Sequence, residues 1–327
     1  MSSSSANPSL QVTISSKQIL SISLPIALAI MVPQINFVIN NIFLGALSSE
    51  ALAIGGITGV YYLIFGVMGQ GLNNGLQALI SRRAGENRID EIGILFSQGV
   101  IISFFLAAVG IVFTYFIAPP IFYAVLKDSH RATIVIEFLK IRIWGIPFLF
   151  IYQMRNALLV GTNQSKFLII GTATEAIFNI FFDYSLIFGH FGCKAFGLNG
   201  AAYASIIAEA MGLLVIYLVI HFQKIGVRFK LFESFSLRWN YIQLIIVQSF
   251  PLIMQYMISI ISWEFFYILI EHRGEQALAV SNAMRNIFGF FGSFTWAFAA
   301  TTNTMVSNII GQNKQDQVIV LINKIVR

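Results

Sequence analysis

Charge is scarce in this sequence. Only 10% of the residues are Asp, Glu, Lys or Arg, against about a quarter in soluble domains, which excludes a water-soluble globular chain. Cysteine is scarcer still. Cys193 stands alone, so it forms no internal disulfide and says nothing of redox chemistry. The four histidines, His130, His190, His221 and His272, lie in or beside the gaps between apolar runs and show no metal-ligand spacing. There is no glycine-rich phosphate loop ending in Lys-Ser/Thr, no His/Cys metal motif and no nucleophile elbow. These absences argue against an enzyme and against transport powered by nucleotide hydrolysis, and no cofactor is expected.

Apolar sequence fills the space that charge leaves. Hydrophobic residues make up 57% of the chain and mean hydropathy is +0.78. The excess sits in long runs at 19–44, 51–80, 92–123, 134–160, 167–188, 198–222, 241–270 and 277–310. Each supplies the ~20 apolar residues that a bilayer span needs, so eight complete transmembrane helices are expected, with 318–327 leading into a ninth. The Ser-rich start, residues 1–17, has no basic region before a short apolar core, so no cleaved signal peptide is expected. The net charge of +6 does not point to nucleic acid, because its distribution follows topology. With the N-terminus inside, the inner loops hold Arg82, Arg83, Arg88, Lys166, Lys224, Arg228, Lys230, Arg238 and Lys314. The outer loops hold only Lys127, Arg131, Lys194 and Arg273. This is the positive-inside bias, and it predicts a multi-pass protein of the inner (plasma) membrane with a cytoplasmic N-terminus.

The chain also repeats itself at an offset of 226 residues. Pro25 falls on Pro251, Ala51-Leu52-Ala53 on Ala277-Leu278-Ala279, Gly66 on Gly292, and Ser81, Gly85 and Asn87 on Ser307, Gly311 and Asn313. A fixed offset in a membrane chain points to two related helical bundles. Two full copies would take about 450 residues, so the second bundle is represented by its first hundred or so. The expected fold is all-α and polytopic. Residues 1–17 form a cytoplasmic tail, 18–222 a six-helix first lobe, 223–240 a cytoplasmic linker at the lipid surface, and 241–327 the start of a second lobe with two spans and the lead-in to a third.

Ionisable groups within a span cost ~2.5–3.5 kcal/mol on insertion scales and are functional candidates by default. On helix five, Glu175, Asn179 and Asp183 recur every four residues and share one face. Helix six adds Ser205 and Glu209, and helix one adds Asn36, Asn40 and Asn41. At about 1.5 Å per residue, Asp183, Ser205 and Asn40 lie at one level in the outer half, with Glu175 and Glu209 deeper. Helix two carries the amides Gln70, Asn73, Asn74 and Gln77, candidates for lining a substrate cavity. The alternative for all of these is interhelical hydrogen bonding that holds the bundle together. Pro25 and Pro33 are candidate kinks in helix one. Gly71 and Gly75 form a small-xxx-small step in helix two. In the second bundle, Glu264 lies ten residues before Gly274 and Arg285 eleven after it, which puts them at one depth as a candidate ion pair.

Several segments together resemble the MATE (multidrug and toxic compound extrusion) transporters: Asn40-Asn-Ile-Phe-Leu-Gly45 with Glu50-Ala-Leu-Ala53, Ile141-Arg-Ile-Trp-Gly-Ile-Pro147, Asn179-Ile-Phe-Phe-Asp183-Tyr, and Gly197-Leu-Asn-Gly-Ala-Ala-Tyr-Ala-Ser205. The resemblance, C-terminally truncated, covers essentially the whole chain. It implies export of a small organic compound, cationic or amphipathic, in exchange for Na⁺ or H⁺; it implies no oligomer. It also implies a first-lobe cation site at Asn40, Asn179, Asp183 and Ser205. The family has an Asp where Asn40 stands, so Glu175 is the expected carrier of the exchangeable proton, with Glu209 nearby. A lipid-linked saccharide flippase of the same superfamily would need more basic residues in its cavity than Arg155 and Arg142. A truncated, non-transporting remnant is the third reading.

Overall fold

The computed structural model describes residues 10–126, 128–231, 236–271 and 275–326, with some side chains of the last two long helices left aside. Lys127, His272 and Arg273 fall outside the described residues, as do the side chains of Glu264 and Arg285 and hence their expected pairing. Everything described is helix or short connection. The helices are α1 (Ser16–Leu47), α2 (Ser49–Gly85), α3 (Ile89–Val112), α4 (Ala118–Val125), α5 (Ser129–Arg142), α6 (Ile146–Gly161), α7 (Leu168–Phe188), α8 (Leu198–Phe222), α9 (Ile225–Arg228), α10 (Trp239–Glu271), α11 (Glu275–Gly311) and α12 (Val318–Val326).

Local sequence explains the boundaries. The Ser15 and Ser48 hydroxyls accept from the amides of Gln18 and Ala51 and start α1 and α2. Helix α1 runs unbroken through Pro25 and Pro33. Pro119 and Pro120 remove two backbone donors, and the chain absorbs the loss as a π turn at Phe113–Ile117 between α3 and α4. Pro147 is preceded in the same way by a 3₁₀ turn at Ile143–Gly145, which splits the expected fourth span into α5 and α6. Six helices are long and apolar enough to cross a membrane among the described residues: Ser16–Leu47, Ser49–Gly85, Ile89–Val125, Ser165–Phe188, Leu198–Phe222 and Trp239–Trp263. The remaining two expected spans correspond to the broken α5–α6 and to α11.

The repeat is visible in three dimensions. Adding 226 to the bounds of α2 gives the bounds of α11. Both helices end in a turn whose Asn, Asn87 or Asn313, takes the left-handed conformation (φ 56° and 60°), which Asn tolerates better than most residues. The two copies also touch reciprocally. The Gln77 amide donates to the Ala300 carbonyl at 3.0 Å, and Asn303, its counterpart, donates to the carbonyl of Asn74, the counterpart of Ala300, at 3.1 Å. A side chain at Gly85 would strike the Asn308 carbonyl, and one at Gly311 the carbonyl of Arg82, the counterpart of Asn308. Contacts in which i meets j and j meets i define a two-fold relation.

Gly71 and Gly75 bring α2 against α10, where an added Cβ would lie 2.7 Å from the Ile253 Cα and 2.8 Å from the Ser249 Cα. These contacts lie in the half of the molecule that holds the C-terminal ends of α2 and α11. In the other half, Val60, Leu63 and Ile64 of α2 and Ile287, Phe288 and Phe291 of α11 are exposed. The copies meet at the end that holds the Asn87 and Asn313 turns. The described part of the linker packs on α3. Phe229 is fully buried, the backbone of Phe229–Lys230 approaches Gly93, and Gln98 bonds Ser236 and Arg238.

Candidate functional site

The polar stripe of α7 faces α1 and α8, and the helices bring Asn179 together with Asn36 and Ser205; no hydrogen bond joins Asn40 to them among the described residues. Asn179 and Asp183 are buried, at 2% and 1% exposure. The Asn36 amide donates to Asn179 Oδ1 at 2.8 Å, and the Asn179 amide donates to the Ser205 hydroxyl at 3.4 Å. The network therefore spans α1, α7 and α8. Both Asp183 carboxylate oxygens are buried without a hydrogen-bond donor, and so are Asn36 Oδ1 and Asn40 Oδ1. A buried carboxylate is normally satisfied by two or more donors. This one presents two unpartnered acceptors one turn from Asn179, an arrangement that a hard monovalent cation or a proton completes.

The deeper residues divide differently. Glu209 is held by Arg142 through two bonds, Nη2 to Oε1 at 2.5 Å and Nη1 to Oε2 at 3.1 Å. Tyr62 donates to the same carboxylate at 3.2 Å, and its ring lies 3.7 Å from the Arg142 guanidinium. Gly145 leaves the space this group occupies. Glu209, grouped by sequence with the coupling residues, thus has its charge matched by an arginine. Glu175 packs on Gly212, and the charges acting on it are those of Glu209, Arg155 and Arg142. Arg155 is 1% exposed, lies against Gly171 one turn from Glu175, and stacks 3.8 Å from the Tyr152 ring. Arg142 is also the charge that acts on Asp183.

Five ionisable side chains thus converge inside the first bundle: Arg142, Arg155, Glu175, Asp183 and Glu209. Two cations against three carboxylates leave one negative charge. The sequence offered a clue to the Arg142–Glu209 pair: Arg142 lies thirteen residues from the start of α5 and Glu209 eleven from the start of α8, hence at similar depth.

The helix-two amides are divided between bonds within α2 and bonds across the seam. Gln77 bonds Ala300 and Thr304, Asn74 accepts from Gln70 and Asn73 and donates to Tyr256 at 2.6 Å, and Ser81 donates to the Thr304 carbonyl. Gln77 and Asn74 therefore join the copies; Asn73 keeps a buried, unpartnered Oδ1. Pro33 lies three residues before Asn36 on α1 and is exposed, whereas Pro25 is half-buried.

Two-fold related helical copies around a buried, acceptor-rich site are an architecture that membrane transporters use. The family model MatE matches residues 25–185. Two relatives, each called "Probable multidrug resistance protein NorM", are similar to this chain. That of Synechocystis sp. is 25% identical over 220 residues, covering 67% of this chain and 47% of the relative. That of Halalkalibacterium halodurans is 28% identical over 236 residues, covering 68% and 50%. The chain spans about half the length of these curated relatives. Among solved structures, a MOP superfamily transporter from Pyrococcus furiosus superposes with a TM-score of 0.85 at 18% identity, covering 97% of this chain and 69% of that one. A structure described as an outward-facing multidrug resistance MATE family transporter superposes at 0.84 with 19% identity, covering 95% and 68%. Over residues 25–185, and in its fold, the chain is similar to MATE transporters.

Proposed function

We propose that this chain carries the ion-binding bundle of a cation-coupled exporter of small organic compounds, cationic or amphipathic, in the plasma membrane, with Asp183 as the group that exchanges the cation, Na⁺ or H⁺. The observation that carries this reading is the Asp183 carboxylate, buried with no donor on either oxygen. The charge count supports it. Arg142 balances Glu209, Arg155 stands against Glu175, and Asp183 is left needing one positive charge. This assigns the exchange to Asp183 in place of Glu175, because Asp183 is the more deeply buried of the two and both its oxygens lack a donor.

A cation at Asp183 would also be drawn to the Asn36 and Asn40 oxygens on α1, tying that helix to α7 and α8. Release would free the outer part of α1 to bend at Pro33, where the proline removes one backbone bond. Binding energy at the site is thereby converted into the position of a helix that lines the opening between the copies. In vesicles with Na⁺ and H⁺ gradients varied separately, Asp183→Asn should reduce gradient-driven efflux to background while leaving substrate binding intact. Retention of coupled efflux in Asp183→Asn, with loss in Glu175→Gln, would return the role to Glu175.

The positive-inside distribution supports a cytoplasmic end at the C-termini of α2 and α11. In a Cys193-free background, a cysteine at Asn87 should resist an impermeant thiol reagent applied outside, and one at Ser129 should label. The opposite pattern would invert the orientation.

A further inference from the structure

The end at which the two copies meet is crossed by a third element. Residues 10–14 run from the Ser-rich start of the chain into the groove between α2 and α11. Leu10 and Val12 are buried, at 6% and 4% exposure. The backbone amide of Val12 donates to Asn308 Oδ1 at 3.0 Å, and Asn308 Nδ2 donates to the Leu10 carbonyl at 2.9 Å. The Gln312 amide donates to the Val12 carbonyl at 2.9 Å, the Gln11 amide to the Gly85 carbonyl at 3.0 Å, and the Lys324 ammonium to the Ile14 carbonyl at 3.3 Å. Alternate carbonyls of one short segment are thus held by side chains of α11 and α12, while its Gln11 holds α2. Asn308 also donates to the Ser81 carbonyl on α2 at 3.0 Å, so a single buried amide ties segment, first copy and second copy together.

The arrangement breaks the two-fold relation. Position 308 corresponds to Arg82 in the first copy and Gln312 to Glu86, and neither can offer the same neutral donor–acceptor pair. The segment before α10, the counterpart of residues 10–14, lies on α3 through Gln98, the counterpart of Lys324, so the copies share that contact and differ in the bonds of Asn308 and Gln312. Among the described residues, the seat made by Asn308 and Gln312 therefore has no counterpart in the first copy. A merely packed tail would need apolar contact alone; here paired main-chain bonds fix the register, as in recognition of an extended peptide by backbone hydrogen bonds.

We infer that residues 10–14 act as a latch: seated in the α2–α11 groove they hold this end of the two copies closed, and they must leave it before the copies can part here. The latch follows from the seam geometry, whatever the coupling ion and the orientation in the membrane. An alternating transporter must open at each end in turn, and this end cannot open while Leu10, Val12 and Gln11 bridge both copies. The latch sets a bias toward the state open at the opposite end.

The test uses the full chain in a Cys193→Ser background, spin-labelled at Asp90→Cys and Asp316→Cys. These exposed residues, 226 apart, lie beside the two inner turns. With the natural segment, one short, narrow distance distribution is expected. Replacing residues 10–14 by Gly-Ser-Gly-Ser-Gly should add a second population at longer distance. Val12→Pro, which removes one donor to Asn308 and leaves the packing nearly intact, should produce the same second population at lower occupancy. If the replacement does not fold, Val12→Pro decides alone. An unchanged single distance in the folded variants would overturn the latch and leave the segment as packing.

Discussion

Glu209→Gln is expected to cost about 3–5 kcal/mol of stability, because it leaves the Arg142 guanidinium buried without its anion. The side chains of Arg142 and Glu209 are 13% and 8% exposed and share two hydrogen bonds, so neither can turn to water. Arg142→Met should cost a similar amount by stranding the carboxylate. The double change should cost far less than the sum, since removing both charges also removes the desolvation each requires. Tyr62→Phe, which deletes one donor to Glu209 but keeps the ring under the guanidinium, should cost only about 1 kcal/mol. Thermal unfolding in detergent reads all four. Additive losses would show that the pair is not coupled.

Alanine at the seam glycines should separate two classes that look alike in sequence. Gly71→Ala and Gly75→Ala place a methyl within 3 Å of backbone atoms of α10. Backbone cannot rotate out of the way, so about 1–3 kcal/mol of stability should be lost at each. Gly56, Gly59 and Gly66 have nothing within 4 Å of an added Cβ, and alanine there should be neutral or stabilise α2 by up to about 1 kcal/mol through helix propensity. Equal effects at Gly66 and Gly75 would mean that the α2–α10 contact is not as close as described.

Much of this was legible in the chain. The 226-residue offset is reproduced in the bounds of α2 and α11 and in the paired Asn87 and Asn313 turns, because small residues and turn residues keep their register when two copies pack reciprocally. The Glu175–Asn179–Asp183 stripe was legible from helical period, since period alone decides which residues share a face. What period cannot give is the partner across the interface. It placed Gln77 and Asn74 as cavity residues, and they bond across the seam. It grouped Glu209 with Asp183, and Arg142 claims it from another helix. The segment at 10–14 was hidden for a different reason. Two apolar residues, Leu10 and Val12, in a Ser-rich run carry almost no periodic signal, and the groove that receives them is made by α2 and by α11, more than 200 positions further along the chain.

The central claim is that Asp183 is the one interior carboxylate that exchanges its cation. Infrared difference spectra of the carboxyl region, recorded as Na⁺ concentration and pH are changed separately, test it most directly. One responding carboxyl band is expected in the natural chain, absent in Asp183→Asn and retained in Glu175→Gln. A band that persists in Asp183→Asn and disappears in Glu175→Gln would contradict the claim.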